Sequence, residues 1–544
     1  MTGRDAEDPA TRDLSVHITA LAARIRELRG DRALVVPNPG TSLPQLMVID
    51  RDYGLLGFDV AFGPITADRT PSVALNRKLD ELNDAANGAG DVPVTGFVAY
   101  PEMTEALLGT PGAERRRVIS TSDVDTGRFL TAVDTADNLV TDEAWDSLVD
   151  RLAPSLVFAP RRTGATDDGA DERHTSRIRL DAAQTNAALV PVDEVLVVTG
   201  PAGSGKTLVL AARAKWLAKN NPDWRIQILC YNKALVPYLR SLVVTHPAID
   251  VSTFGKFTAA LGHRVSLSDE GAADRELDSA IRKGIPHVTD ALLIDEYQDF
   301  MPAWLDFALR TVRPGRGGAV LTGDAAQALY RDADTARIMR GRQVSMLALD
   351  RPYRSTSQML AAVGSLDSRF AVEGAGTAPD GEPVDLVWAA SWNEQARCAA
   401  WEIRQMIDTG KRRPGHIAIL VTQIAGTVRR LSDALNAQAI PFEVIDRTNS
   451  DSFDPTTATV KIVTVHSAKG HEFPVVILFG LEALPDSHVE DEAQHRRARV
   501  AFVGMTRAQD QLLITYTRHN PFLERLEAAG DAVHRWTWPD DYEV

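Results

Sequence analysis

The sequence predicts an α/β protein: two tandem units built on parallel sheets, preceded by a separate N-terminal α/β unit. Three observations carry that prediction. Beyond residue 178, short β-branched runs alternate with helix-length stretches, the pattern of parallel strands covered on both faces. One run, residues 195–199, leads directly into Gly200-Pro201-Ala202-Gly203-Ser204-Gly205-Lys206-Thr207 and then a helix-like segment over 208–218. Upstream, residues 161–177 (RRTGATDDGADERHTSR) break the composition with Gly, Asp and Thr and read as a linker.

The bulk numbers fit this division. A chain of 544 residues has the length of about three domains, and 44% hydrophobic with 24% charged residues is ordinary globular composition. Two cysteines, Cys230 and Cys398, cannot form a disulfide framework, so a reducing cytoplasm is the expected compartment. No apolar run approaches a membrane span, and the acidic start MTGRDAEDPATRD is unlike a signal peptide. The net charge of −15 weakens non-specific attraction to phosphate backbones, although it leaves room for a local basic groove.

Taken in order, the N-terminal unit offers apolar runs at 44–50 and 53–61 around a turn, then a third at 92–100. After the linker, strands are expected at 195–199, 226–231, 291–295, 319–322, 384–389, 416–421, 461–465, 475–479 and 512–516. Their number suits two sheets better than one. A short helical excursion is expected within 266–288, and no solenoid or heptad repeat is present.

The octapeptide is a phosphate-binding loop in its required strand–loop–helix context. Its glycines (Gly200, Gly203, Gly205) let successive N–H groups, including that of Ser204, curl around an oxyanion at the positive end of a helix. Lys206 would reach the β/γ-phosphates and the Thr207 hydroxyl would ligate Mg²⁺. The run 291–295 ends in adjacent carboxylates. Asp295 would hold Mg²⁺ through water and Glu296 would polarise the attacking water. The segment Gly323-Asp324-Ala325-Ala326-Gln327 follows another strand, with Gln327 as a γ-phosphate sensor.

Farther on come Arg351-Pro352-Tyr353-Arg354-Ser355, Thr464-Val465-His466-Ser467-Ala468-Lys469-Gly470-His471-Glu472-Phe473 and Phe502-Val503-Gly504-Met505-Thr506-Arg507-Ala508. In this order the series resembles the motifs of superfamily 1 helicases of the UvrD/Rep type, over about residues 178–520. The resemblance implies two RecA-like P-loop NTPase domains in tandem, with ATP and Mg²⁺ as cofactors and single-stranded DNA as partner. It further implies that Gln184 reads the adenine edge, Tyr353 stacks on adenine and Glu472 contacts the ribose, with Arg354 and Arg507 as arginine fingers. Tyr231, Asn232, Lys233, Thr253, Tyr330, Thr464 and His466 become candidate nucleic-acid contacts; Thr253, Lys256, Thr464 and His466 read equally well as ordinary loop or capping residues.

The chain departs from that family in two ways. The gaps between the phosphate loop and the 291–295 strand (about 85 residues) and between Arg354 and Thr464 (about 110) hold one compact α/β half each, without large accessory insertions. The family's base-stacking aromatic falls on Cys230, with Tyr231 one place along, and Tyr330 is followed by Arg331-Asp332-Ala333-Asp334 with no tryptophan. Base stacking is worth about 1–3 kcal/mol per base, so the grip on a single strand is expected to be weak.

The N-terminal runs resemble nuclease-related (NERD-type) domains of the PD-(D/E)xK fold, over about residues 15–160. The family's first acidic position falls on Gln45, and the second strand reads Asp59-Val60-Ala61, without the lysine. A catalytically degenerate domain, kept as a docking platform, is expected. The boundaries that follow are 1–160, a linker at 161–178, 179–350 for the ATP-binding motor domain and 351–544 for the second motor domain with its tail. Two functions remain: an ATPase motor on nucleic acid, or an ATP-gated remodelling module acting on a protein partner through the N-terminal domain.

Overall fold

A computed structural model of the chain describes residues 9–38, 42–62, 70–87, 92–108, 117–133, 139–153, 180, 182–192, 194–201, 203–243, 246–265, 270–324, 341–349, 355–367, 370–371, 378–422, 426–446, 457–483 and 500–539. The chain divides into two units. The first is formed by Met1–Ala159, Ile178–Pro191 and Lys215–Pro222, the second by the remainder. The segment 161–177, expected as a linker, lies outside the described residues.

In the first unit a five-stranded sheet runs in sequence order, β1 (Ala33–Pro37), β2 (Leu46–Asp50), β3 (Gly54–Val60), β4 (Val94–Tyr100) and β5 (Val118–Ser120). The first three strands form an antiparallel meander, whereas β3, β4 and β5 are parallel. A parallel pair needs a crossover, and the helix Thr70–Ala86 supplies it between β3 and β4. The helix Pro9–Arg29 buries Leu21, Ala22 and Ile25 in the core. At the centre of that core Phe58 stacks on Phe97 at 5.5 Å, and Phe129 meets both edge-on.

The end of that helix is tied to the β2–β3 turn by charge. Arg29 grips the buried Asp50 through two nitrogens and reaches Asp52 at 2.7 Å, and Arg32 also binds Asp52. The helix Ala182–Leu189 belongs to this unit as well, for Asn186 Oδ1 accepts from Arg26 Nε at 3.2 Å and from the Val35 amide at 3.3 Å.

The second unit contains two wholly parallel sheets. One is built from β6 (Val195–Thr199), β7 (Ile226–Cys230), β8 (Ile249–Thr253), β9 (Ala291–Asp295), β10 (Gly318–Gly323) and β11 (Val344–Ala348), in the order β11-β6-β10-β9-β7-β8. The other has β12 (Val384–Ala389), β13 (Ile417–Val421), β14 (Phe442–Ile445), β15 (Val460–Thr464), β16 (Phe473–Phe479), β17 (Ala508–Tyr516) and β18 (Val533–Trp538), in the order β14-β15-β13-β16-β17-β12-β18. Central strands such as β7, β9 and β13 are buried at every position, as parallel strands covered on both faces must be. Each of the nine runs expected beyond residue 178 is a strand, and the helix Glu270–Lys283 lies inside the expected excursion. β1, β5, β8, β11, β14 and β18 were not anticipated from the sequence.

Candidate nucleotide site

Register brings the chemistry together at one sheet edge. Within the first parallel sheet Gly323 of β10 aligns with Thr199 of β6, and Thr322 with Asp295 of β9. The strand ends are therefore flush, and the segments leaving them, 200–201 with 203–207, 296–299 and 323–324, share the carboxyl edge where open α/β sheets bind ligands.

The phosphate loop has the backbone its sequence requires. Gly203 and Gly205 take φ of +77° and +82°, left-handed values that favour glycine, and Lys206 opens the helix Lys206–Asn220. Its ammonium turns back on the loop, donating to the Gly200 and Pro201 carbonyls at 2.8 Å each. Thr207 Oγ1 donates to Asp295 Oδ2 at 3.0 Å, and Thr322 Oγ1 donates to Asp295 Oδ1 at 2.8 Å.

Whether Mg²⁺ fits is decided by that pair. Among the described residues no cluster of three His, Cys, Asp or Glu side chains could hold a metal. Mg²⁺ does not require one, since it retains waters and binds through one or two protein oxygens plus substrate phosphates. A hydroxyl and a carboxylate in contact at the mouth of a phosphate loop are a fitting donor set.

Glu296 stands out in the backbone. It is one of three non-glycine residues with positive φ (+56°) among those described, and a side chain held in that region stores strain of about 1–3 kcal/mol. The twist puts Glu296 Oε2 against Gln298 Nε2, while Gln298 Oε1 accepts from the Asp324 amide at 3.2 Å. Gln298 thus links the carboxylate to the segment that leads to Gln327.

The second sheet contributes charge to the same place. Lys469, in the loop after β15, donates to Asp299 at 2.6 and 2.7 Å and lies 3.7 Å from Glu296. Burial works against the Glu296 charge, but Lys469, Lys206 and Arg507 together hold its carboxyl below the usual range. Burial and the Glu296 charge instead push Asp295 up to about 6. Burial also lifts Asp299 to about 6 against the opposing pull of Lys469. At neutral pH Glu296 is therefore an ionised acceptor held among cations, the state in which it can orient water and take its proton.

Arg507 is buried, donating to the Val503 and His471 carbonyls and to Thr506 Oγ1. Glu472 accepts from Gln509 Nε2 at 3.2 Å. Gln184 is buried on the helix Ala182–Leu189 of the first unit. Tyr231 is half-buried, stacked at 6.1 Å on Trp304, which stacks on Phe254 at 5.3 Å. Thr253 caps the helix Phe254–Ala260 through the Lys256 amide, and Thr464 closes a local turn with Ser467. Lys233 and His466 are exposed. Asn232 reaches across to the second sheet, donating to the Ser467 and Lys469 carbonyls. Gln327, Tyr330, Tyr353 and Arg354 lie outside the described residues.

Sequence reasoning missed Gln298, Asp299 and Lys469 at this site, although all three stand within or next to the motifs that mark it. In the first unit it missed Lys78, whose ammonium donates to both Asp59 oxygens at 3.0 and 2.8 Å. Gln45 lies beside that pair: its amide donates to Asp59 Oδ1 and its Oε1 accepts from the Val60 amide. Asp50 and Asp52, spoken for by Arg29 and Arg32, stand at the far end of β2 from Gln45. Among the described residues no helix is long and apolar enough to cross a membrane.

Comparison with known proteins bears on the same region. An AAA domain matches residues 184–333, and a UvrD-like helicase C-terminal domain matches residues 446–519. The chain is similar to the ATP-dependent DNA helicase PcrA of Bacillus subtilis (strain 168), 35% identical over 86 residues, 15% of this chain and 12% of the relative. It is also similar to PcrA of Leuconostoc citreum, 38% identical over 69 residues (12% and 9%), and to DNA helicase II of Rickettsia typhi, 29% identical over 164 residues (28% and 25%). The matched segments thus span a quarter or less of the length of these relatives. In its matched segments the chain is thus similar to UvrD-like DNA helicases.

Proposed function

We propose that this chain is an ATP-driven motor of the superfamily 1 helicase or translocase type, hydrolysing ATP to ADP and phosphate under stimulation by single-stranded DNA. One observation carries the reading: Lys206, Thr207, Asp295 and Glu296 converge at the flush strand ends, and Lys469 of the second sheet meets Glu296 and its neighbour Asp299. A hydrolytic site that draws its cations from two sheets links turnover to their relative arrangement, which a motor requires.

In this reading the amides of Gly203, Ser204 and Gly205 hold the ATP phosphates, and Lys206 leaves the loop carbonyls for the β/γ-phosphates. Thr207 and Asp295 hold Mg²⁺, which neutralises charge on the phosphates when bound. Glu296 takes the proton of the attacking water. Gln327 senses the γ-phosphate, and Arg354 with Arg507 faces the charge developing there, a contribution worth about 10³–10⁵ in rate where a finger operates. Gln184 and Tyr353 serve the adenine and Glu472 the ribose. Tyr231, Asn232, Lys233, Thr253, Tyr330, Thr464 and His466 are the candidate strand contacts, and the relatives' identity as DNA helicases favours DNA.

Residues 179–350 and 351–544 form the two RecA-like motor domains, without large insertions, behind a linker at 161–178. Residues 1–160 form a nuclease-related domain without cleavage chemistry. Support comes from Asp59, whose carboxylate is occupied by Lys78 and meets the backbone amide of Gln45 at the family's first acidic position. The protein works in the cytoplasm.

A second reading, an ATP-gated module that remodels a protein docked on the N-terminal domain, is favoured by the engagement of Asn232, Thr253 and Thr464 within the fold and by the net charge of −15. ATPase rates with single-stranded DNA, duplex DNA, RNA and no nucleic acid, across a salt titration, separate the two. Several-fold stimulation by single strands that declines with salt supports the motor. A rate indifferent to every nucleic acid overturns it.

A further inference from the structure

ATP hydrolysis assigns Lys206 to the phosphates and Arg507 to the transferring group, and it leaves a buried cation without a role. Lys469 is 1% exposed, bound to both Asp299 oxygens and 3.7 Å from Glu296 Oε2. The lysine comes from the second parallel sheet, both carboxylates from the turn after β9 in the first.

The loop that delivers it is clamped at three points by one turn of the first sheet. Asn232 Nδ2 donates to the Ser467 carbonyl at 3.2 Å and to the Lys469 carbonyl at 2.8 Å, while its Oδ1 accepts from the Ala234 amide. His471 Nε2 donates to the Ala234 carbonyl at 2.9 Å. Gly470 takes φ of +86°, a left-handed value that favours glycine, and a Cβ there would stand 2.8 Å from Leu235 Cδ1, so a larger residue is strained in the backbone and must displace that leucine. Five residues thus run along the 232–235 turn and send one ammonium into the acidic turn 295–299. Two buried carboxylates and the mostly buried Glu296 stand within five residues and repel one another, and a cation between two of the three fixes both charge and orientation.

We propose that Lys469 is a positioning residue for ATP hydrolysis: held by the Asn232-clamped loop, its ammonium fixes Asp299 and Glu296 together, so that the water-orienting carboxylate is set only while the two sheets keep this arrangement. The inference rests on the ATPase reading. It moves Asn232 from the strand-contact candidates to the joint between the sheets. It also makes the 232–235 turn, which carries the exposed Lys233, the place where a bound strand alters hydrolysis.

The test uses the full chain with a single-stranded DNA oligonucleotide, measuring kcat and KM for ATP, binding of a fluorescent ATP analogue, and the melting temperature. Lys469→Met is expected to lower kcat about 10- to 100-fold while KM and analogue affinity stay within about threefold. Lys469→Arg should recover part of the loss. Asn232→Ala, which leaves every charge in place, should lower kcat by a smaller factor without raising KM. The doubly neutral Lys469→Met/Asp299→Leu variant should recover the melting temperature without recovering kcat. Parental kcat in Lys469→Met, or in the doubly neutral variant, overturns the proposal by making Lys469 a structural partner of Asp299 alone. Parent turnover that survives Lys206→Ala strikes down the ATPase reading itself, a failure told apart by a variant that leaves Lys469 intact.

Discussion

Acidifying the protein should loosen the joint between the two parallel sheets through His471. The imidazole is buried, its Nε2 donates to the Ala234 carbonyl, and burial pushes its pKa down from 6.5 to about 4. Unfolded, the ring takes up a proton below about pH 6.5; folded, it does so only below about 4. Across that window the unfolded chain binds more protons, so the stability contributed by the neutral ring is complete above 6.5 and is lost as pH falls. Each pH unit between the two pKa values is worth about 1.4 kcal/mol, so the loss reaches about 2 kcal/mol at pH 5 and approaches about 3 kcal/mol near pH 4. Asp295 and Asp299, both raised to about 6, act with the opposite sign, because folded they protonate first. The quantity to measure is therefore the difference between wild type and His471→Leu. Leucine should cost about 1 kcal/mol at pH 7.5, from the Ala234 carbonyl left without its donor. That deficit should shrink on acidification and reverse at about pH 5.8. Differential scanning calorimetry of both proteins from about pH 7.5 to 4.5 reads it directly. Parallel melting-temperature curves would refute the burial argument.

Three further outcomes follow from the described contacts. Glu296→Gln should keep ATP binding and lose about 10²–10⁴ in kcat, the usual worth of a positioned base; turnover within about threefold of wild type would move the base elsewhere. Thr207→Val removes the hydroxyl that meets Asp295 and should raise the Mg²⁺ concentration for half-maximal turnover about tenfold, roughly 1.4 kcal/mol, with chelation abolishing turnover in both proteins. In the first unit, Lys78→Met should destabilise by about 3–5 kcal/mol, because it strands the nearly buried Asp59 carboxylate, and Lys78→Met/Asp59→Leu should recover most of that loss in calorimetry.

Legibility in the sequence followed burial. β6, β9 and β12 lie at the residues expected, and the other anticipated strands beyond residue 178 differ only at their ends. Most are apolar runs buried at nearly every position, so composition alone marks them. The unanticipated strands lie mainly at sheet edges. β18 reads Val-His-Arg-Trp-Thr-Trp and exposes its middle residues, β11 exposes Met346, and β5 has three residues. An edge strand is held by one neighbour's ladder and needs no apolar period, so it leaves little signal. The same contrast divides the site. The phosphate loop and the Asp295–Glu296 pair are local sequences whose chemistry is contained in a few consecutive residues. The contact between Lys469 and Asp299 joins positions 170 apart, and Lys78 reaches Asp59 from the face of a helix where a lysine ordinarily signals solvent.

The charge of the joint argues for a particular order of events. Glu296 stays ionised because three cations outweigh its burial, and Lys206 is among them. In the proposed ATPase Lys206 turns from the Gly200 and Pro201 carbonyls to a phosphate, so its charge would be shared with the phosphate and Glu296 would depend more heavily on Lys469 and Arg507. Both belong to the second sheet. Nucleotide arrival therefore raises the cost of any arrangement that withdraws the second sheet from the acidic turn, and phosphate departure lowers it. Bound nucleotide should hold the 467–471 loop on the 232–235 turn, which hydrogen exchange of the His471 and Leu235 amides would register as increased protection with a non-hydrolysable ATP analogue. Unchanged protection at those amides, with the analogue bound, would mean that the carboxylate keeps its charge without the second sheet.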